Sequence, residues 1–467
     1  MLVMKFGGTS VGDAHCFDRV AAIVAGHLQD KPVVVVSAMS GVTSALLVMA
    51  RLAQGGDYQP IATQVADLLA RHVGVCEQAI ASQAEARKAR AALDAYGREL
   101  SSILTGVSLL REASPRSMDA ISAYGEKMSA TLLAAVLRDR GMKAEALSAE
   151  DLIVTDDNHG QAVPLQPATN RRINRRLPAL LKKGTIPVIT GFIARSTSGA
   201  TTTLSRGGSD FSASLIGAAL NADEIWIWTD VNGVMTADPR IVPQAHTLPS
   251  LSYAEAAELS YFGAKVLHPK TVAPAVDRGI PIRIKNTFEP DHPGTLIAPR
   301  TEDAKGACNG DIVRALTSMS GMSLVTVQGA GMIGVPGVAA RVFTAVAQLG
   351  ASVMMISQSS SEYNICFAVG QDWNQRVSAA LRQEFERELR AGDISEIGTR
   401  DVAVLAAVGD GMRGSPGVAG RLFSALGKQG INVIAIAQGA SERNISFVVE
   451  ESQRIAAVQA IHGEFIG

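Results

Sequence analysis

The chain has 467 residues, of which 47% are hydrophobic, 19% charged and 4% aromatic, with a formal net charge of −1 at pH 7. That length holds two or three domains with ample cores. The balanced charge and few aromatic rings exclude a dedicated nucleic-acid binder, which needs a basic surface or stacking platforms.

The amino terminus, Met1 to Ser10, reads MLVMKFGGTS. Leu2-Val3-Met4 predicts a buried strand, followed by Lys5 and a turn at Gly7-Gly8. Paired glycines let amides turn toward an oxyanion without Cβ obstruction, and a lysine beside them adds a mobile positive charge. This is equipment for holding or transferring a phosphoryl group. The segment alone also reads as a strand with a solvated lysine and a plain turn. Apolar spacing predicts a helix over Phe17 to Leu28, and Pro32 to Val36 reads as a buried parallel strand. The hydroxyl-rich turn Ser37 to Ser44 opens a helix at Ala45, giving a βαβ unit with a second polar loop at the carboxyl end of the sheet. No chemistry is visible in the helical stretch from 51 to 112.

Tyr124 to Met128 opens another helix, with Glu126 in its first turn. That acid reads either as a partner of the helix dipole or as a carboxylate aimed at a substrate ammonium. Ile186 to Thr190 is strand-like. Thr201 to Asp210 again joins a cation, Arg206, to a glycine pair, Gly207-Gly208. It launches the helix Phe211 to Leu220, with Ser209 or Asp210 as the expected cap. Arg206 can grip a carboxylate or phosphate through two parallel hydrogen bonds. Glu224 to Trp228 is a strand running into a turn-rich loop to Arg240, a plausible nucleotide site. Ser250 to Leu259 reads as helix and Ile280 to Ile284 as strand. Lys265 and His268, taken alone, read as structural or solvated. The small and charged residues from Thr295 to Asp311 mark a linker.

The carboxy-terminal part contains a repeat. Val325 to Val369 aligns without gaps onto Leu405 to Val449, with 21 of 45 positions identical. Each copy predicts a strand, a glycine-rich turn, an amphipathic helix and two strands. Gly329 to Gly334 matches G-x-G-x-x-G, but the repeat duplicates it, a proline precedes each helix, and Met354 stands where an acidic ribose partner is expected. A nicotinamide site is not expected. The cysteines Cys16, Cys76, Cys308 and Cys366 show no C-x-x-C spacing and read as reduced thiols. Glycine interrupts the first apolar run and no run spans a membrane, so neither a signal peptide nor a membrane segment is expected. From residues alone, the chain reads as a phosphotransferase for a small amino-acid-like acceptor with a tandem sensor attached.

KFGGTSV at 5–11, SRGGSD at 205–210, WTDVNGVMTADPR at 228–240 and ELSYFGAKVLHP at 258–269 resemble aspartokinase motifs, and the repeats resemble that family's paired ACT modules. The chain is most similar to the kinase half of bifunctional aspartokinase–homoserine dehydrogenases. Since the sequence ends at Gly467, no dehydrogenase domain is expected. The resemblance implies an α/β fold: an open three-layer αβα amino-acid-kinase sandwich with a mainly parallel sheet over 1–300. A linker follows at 301–321, holding a candidate first strand of the second module, and then ACT modules at 322–395 and 400–467. It implies transfer of the ATP γ-phosphoryl to the β-carboxylate of L-aspartate, with Mg²⁺ on the phosphates but no assigned protein ligand. Lys5 would neutralise the transferring group, the Gly7 and Gly8 amides would cradle it, and Asp210 would orient Lys5. Arg206 would clamp the α-carboxylate, Glu126 would meet the ammonium, and Thr43 and Ser209 would position the acceptor.

Lys5, Gly8, Ser10, Thr229, Asp230, Met235, Arg240 and Lys265 match nucleotide-binding positions. Two residues depart from the family pattern: Ser205 replaces a usual Gly, and Met235 a frequent Tyr. Gln358 and Gln438, with Asn364 and Asn444, are the implied effector contacts, for threonine first and lysine second. The resemblance further implies a cytoplasmic homodimer or dimer of dimers paired through the ACT modules. The rivals are another amino-acid kinase of this fold and a non-catalytic ACT sensor.

Overall fold

Residues Leu2–Phe6 form β1, at the middle of the principal sheet, where four of the five side chains are buried. The computed structural model describes residues 1–56, 59–262, 267–299 and 312–467. The chain divides into two compact units: Met1–Val234, Pro249–Tyr253 and Val266–Pro299 form the first, and Met235–Leu248, Ala254–Lys265 and Arg300–Gly467 the second. A single cut near residue 300 therefore does not describe the division, since two segments before it group with the second unit.

Helix α1 (Ala14–Ala25) starts earlier than its apolar spacing implied, because the Asp13 side chain accepts from Cys16 N and caps it; Leu28 falls beyond its end. Strand β2 (Val33–Val36) is buried at all four positions, as the β-branched run predicted. Helix α2 (Val42–Gln54) begins three residues before the expected Ala45, after Gly41 in a left-handed conformation. Helices α3 (Gln59–Ala79) and α4 (Gln83–Leu110) pack as a pair, and α5 (Pro115–Ser122) follows a Ser114 cap with proline at its first position. Next come α6 (Tyr124–Asp139), β3 (Ala144–Leu147), β4 (Val154–Thr155), α7 (Gln166–Lys182), β5 (Ile186–Thr190), β6 (Ile193–Ser196) and β7 (Thr201–Thr203).

Helix α8 (Gly208–Leu220) corrects the expected cap. Gly207 holds the N-cap position at φ 76, without a side-chain cap, so Ser209 and Asp210 lie inside the first turn. Strand β8 (Glu224–Thr229) follows, then β9 (Ser250–Ser252) and α9 (Tyr253–Tyr261), where a single helix was expected. After α10 (Pro269–Val276) and β10 (Ile282–Asn286), β11 (Thr295–Ala298) occupies the start of the presumed linker. Both short strands exist because they pair with each other in parallel, and β11 also pairs antiparallel with β10.

The eight-stranded sheet has the order β3-β5-β2-β1-β8-β10-β11-β9. Strand β1 pairs in parallel with β2 on one side and β8 on the other, so the chain reverses its direction of winding there. Such a reversal opens a crevice at the carboxyl ends of the strands. Helices α6 and α1 lie together on the sheet, while α8 contacts β1, β2 and β8 alongside α7 and α10, giving three α/β/α layers. Strands β4, β6 and β7 form a separate small sheet. The core joins Met4, Phe6, Phe17, Val34 and Trp228, and Phe6 stacks on Trp228 with ring centroids 5.8 Å apart. Each such fully buried side chain stabilises the fold by roughly 1.5–3 kcal/mol.

In the second unit, β12 (Ala315–Gln328), α11 (Val338–Gln348), β13 (Met355–Gln358), β14 (Asn364–Gly370), α12 (Asn374–Glu384) and α13 (Glu386–Ala391) form the first repeat. The second comprises β15 (Glu396–Val408), α14 (Val418–Lys428), β16 (Ala435–Gln438), β17 (Asn444–Glu450) and α15 (Arg454–Phe465). They share one antiparallel sheet of order β13-β14-β12-β15-β17-β16. Strand β12 is bulged between Met319 and Met322, and its first half, Ala315–Met319, pairs with Val404–Val408. The G-x-G-x-x-G look-alikes form 3₁₀ turns at Ala330–Met332 and Asp410–Met412 in this antiparallel setting, not the turn of a dinucleotide fold.

Candidate active site

A cavity of about 830 Å³ opens at the carboxyl ends of β1, β2, β5 and β8. Lys5 and Asp210 face each other in it, with Lys5 Nζ 2.7 Å from Asp210 Oδ1 and both side chains largely buried. β1 supplies the lysine and the first turn of α8 the aspartate. Gly8 is needed where the loops after β1 and β2 meet: Ser40 N donates to Gly8 O, and a Cβ on Gly8 would lie 2.9 Å from Ala38 O. The expected cradle of two amides is corrected at Gly7. Its N–H donates to Trp228 O at 3.1 Å, extending the β1–β8 ladder, which leaves Gly8 as the amide of the pair with no backbone partner among the described residues.

Thr43, Glu126, Arg206 and Ser209 line the same cavity, Thr43 and Glu126 where the chain leaves β2, and Thr229 and Asp230 line it at the end of β8. Glu126 is fully buried; its Oε1 accepts from Ala38 N at 3.1 Å, and its Oε2 has no partner among the described residues. Burial pushes its carboxyl up to about 8, against the opposing pull of the Ala38 amide. Arg206 is exposed and makes no ion pair among the described residues. Ser205, just before it, adopts φ 61. A glycine reaches that left-handed conformation freely, whereas a serine holds it at a cost of roughly 1–2 kcal/mol.

Ser10 does not reach the cavity. Fully buried, it donates to Trp228 O and bonds Thr287 Oγ1 at 2.7 Å, tying the β1 turn to the ends of β8 and β10. Met235 and Arg240 belong to the second unit; Met235 bridges Thr247, and Arg240 folds onto Asp238 at 2.6 Å. Lys265 lies outside the described residues, as do Cys308 and most of the presumed linker. Phe192 and Asp119 are among the lining residues that the sequence reading did not assign to the site. Phe192 holds φ 66 in a tight turn where Ile193 N reaches Gly191 O, an unusual conformation for a bulky side chain. Asp119 gathers three partners from two distant segments. The helical stretch that showed no chemistry also contributes: Arg71 on α3 donates to Ser40 O and Gly12 O, joining the two loops.

No group of three metal-ligating side chains occurs among the described residues.

Each repeat carries a smaller cavity, of about 330 Å³ with Gln358 and Glu362 and of about 310 Å³ with Gln438 and Glu442. Gly334 N donates to Glu362 and Gly414 N to Glu442 in matching fashion. Neither Asn364 nor Asn444 lines them: the Asn444 amide donates to Glu258 Oε2 at 2.9 Å, and the Asn364 backbone bonds the Ser359 turn.

The model of the amino acid kinase family matches residues 1–286, and an ACT domain model matches residues 325–385 and 405–465. Aspartokinase 1, chloroplastic, from Arabidopsis thaliana is 32% identical over 99% of this chain and 80% of its own length. The chain belongs to the aspartokinases. Bifunctional aspartokinase/homoserine dehydrogenase 1, chloroplastic, from Arabidopsis thaliana is 38% identical over 99% of the chain, which spans 51% of that protein. The chain thus covers about half the length of its bifunctional relatives. Among solved aspartokinases, E. coli aspartokinase III in complex with aspartate and ADP (R-state) superposes with a TM-score of 0.82 at 29% identity, covering all of both chains. The same enzyme with lysine and aspartate (T-state) gives 0.81 at 30% identity, again with full coverage. No helix among the described residues is long and apolar enough to cross a membrane.

Proposed function

We propose that the chain transfers the γ-phosphoryl group of ATP to the β-carboxylate of L-aspartate, giving 4-phospho-L-aspartate and ADP, the entry step toward lysine, threonine and methionine. The observation that carries this reading is the Lys5–Asp210 pair at the mouth of the central strand, in one cavity with Thr229 and Asp230 at the end of β8 and with Thr43, Glu126, Arg206 and Ser209. The nucleotide occupies the β8 side and the acceptor the β2 side. Arg206 clamps the α-carboxylate, and the unpartnered Glu126 Oε2 receives the ammonium. Thr43 and Ser209 position the acceptor.

The acceptor carboxylate is already ionised near neutral pH, so its oxygen attacks the γ-phosphorus without a general base. The new P–O bond forms as the bond to the β,γ-bridging oxygen breaks, and ADP carries away that electron pair. Lys5, oriented by Asp210, stabilises the charge spread over the transferring oxygens, and Gly8 adds its amide. Mg²⁺, carried with the nucleotide, supplies further charge neutralisation at the phosphates.

The two repeat cavities bind an amino-acid effector, threonine first and lysine second, through Gln358 and Gln438. The chain acts in the cytoplasm as a homodimer or dimer of dimers paired through its ACT modules. Inhibition requires unequal effector affinity for two states of the protein. A coupled ADP-release assay with aspartate, glutamate and N-acetylglutamate tests the reading. Activity confined to aspartate supports it; activity on another acceptor points to a different kinase of this fold, and none to a sensor.

A further inference from the structure

Asp119, on α5, is 3% exposed and lines the large cavity. His159 Nδ1 meets its Oδ2 at 2.8 Å, Gly160 N donates to Oδ2 at 3.0 Å, and Thr203 Oγ1 donates to Oδ1 at 2.5 Å. These partners come from the loop after β4 and from β7, neither adjacent to α5 in sequence. The loop is further fastened where Ala162 N donates to Thr203 O. Gly160 and Thr203 line the cavity alongside Asp119.

Both Asp119 oxygens are committed to protein donors, whereas Glu126 keeps one oxygen unpartnered among the described residues. Asp119 is therefore built to hold geometry and Glu126 to meet charge. We propose that Asp119 is a positioning residue that fixes the distance between α5, Gly160 and Thr203, and thereby sets the length of acceptor side chain the cavity admits. This rests on the phosphotransferase reading above and adds a determinant of acceptor choice. A wall held in place at that point favours an acceptor of fixed length, and one extra methylene against such a wall is worth about 10- to 200-fold in discrimination.

The near-isosteric Asp119→Asn keeps the volume but turns one acceptor into a donor facing other donors. We expect the KM for aspartate to rise about tenfold while that for ATP stays within about twofold. The aspartate-over-glutamate preference in kcat/KM should fall by about fivefold or more. Thr203→Val removes a single donor, guards against a folding failure of the first variant, and should move the same quantities less. A brace that serves stability alone would lower Tm yet leave the KM for aspartate and the acceptor preference at wild-type values; that result in both variants overturns the inference. Should the wild-type chain release no ADP with aspartate, the phosphotransferase reading falls instead, and the positioning role with it. An active wild type matched by both variants in KM and preference removes the positioning role alone.

Discussion

Lys5 Nζ and Asp210 Oδ1 lie 2.7 Å apart although one residue lies near the end of the first strand and the other in the first turn of a helix about 200 positions later. The pair joins the two glycine turns into one site. Lys5→Ala should lower kcat about 100- to 1000-fold with a smaller effect on the KM for aspartate, as for loss of one preorganised charge at a developing anion. Asp210→Asn should lower kcat less. The double variant should cost little more than Lys5→Ala, because the aspartate acts through the lysine. Steady-state kinetics of the three proteins check this; additive losses would mean that the two residues act independently.

Glu126 supplies a pH signature. Its carboxyl stands at about 8 in the folded protein against 4.5 in a model peptide. Between these values the folded state holds a proton that the unfolded chain has released. The ligand-free protein should therefore lose stability as pH rises from about 4.5 to 8. Ammonium binding favours the ionised carboxylate, so the KM for aspartate should fall as pH rises toward 8 and then level off. Glu126→Gln should flatten both profiles and raise the KM. Denaturant midpoints and KM measured across pH would show this; a KM independent of pH in the wild type counts against the ammonium contact.

Ser205 is held at φ 61 beside Arg206. Ser205→Gly should relieve this strain and stabilise the protein by under about 1 kcal/mol, the gain being reduced by the added freedom of the unfolded chain. Ser205→Val, β-branched at a left-handed position, should destabilise and raise the KM for aspartate through misplacement of Arg206. Urea midpoints and KM values measure both effects, and a glycine variant less stable than wild type would contradict the strain.

Gln358 and Gln438 line separate cavities of matching construction. Gln358→Ala and Gln438→Ala should each keep effector-free turnover and raise the threonine concentration for half-inhibition about fivefold, the worth of one lost hydrogen bond. Titrations with threonine and with lysine read the effect; unchanged inhibition in both variants rejects these glutamines as effector contacts.

Much of the site is legible in the chain because its chemistry sits in contiguous motifs. Lys5 with Gly8, and Arg206 with Ser209 and Asp210, announce themselves by a cation beside paired glycines, and both line the cavity. Glu126 is visible as a first-turn acid, but its raised carboxyl comes from tertiary burial that spacing does not encode. Asp119 is opaque for a similar reason, since its donors arrive from distant segments. The Phe192 conformation is imposed by its surroundings, against local preference. Strands β9 and β11 escaped notice because three or four residues acquire strand character only through a partner far along the chain. The Gly7 amide looked like a phosphate donor until the β1–β8 ladder claimed it.

The most direct measurement is aspartate-dependent ADP release from ATP by the wild-type chain and by Lys5→Ala, with phosphorylated product trapped as its hydroxamate. The account predicts stoichiometric ADP and hydroxamate from the wild type, and loss of at least about 99% of that rate in Lys5→Ala. Full aspartate phosphorylation by Lys5→Ala, or none by the wild type, would contradict it.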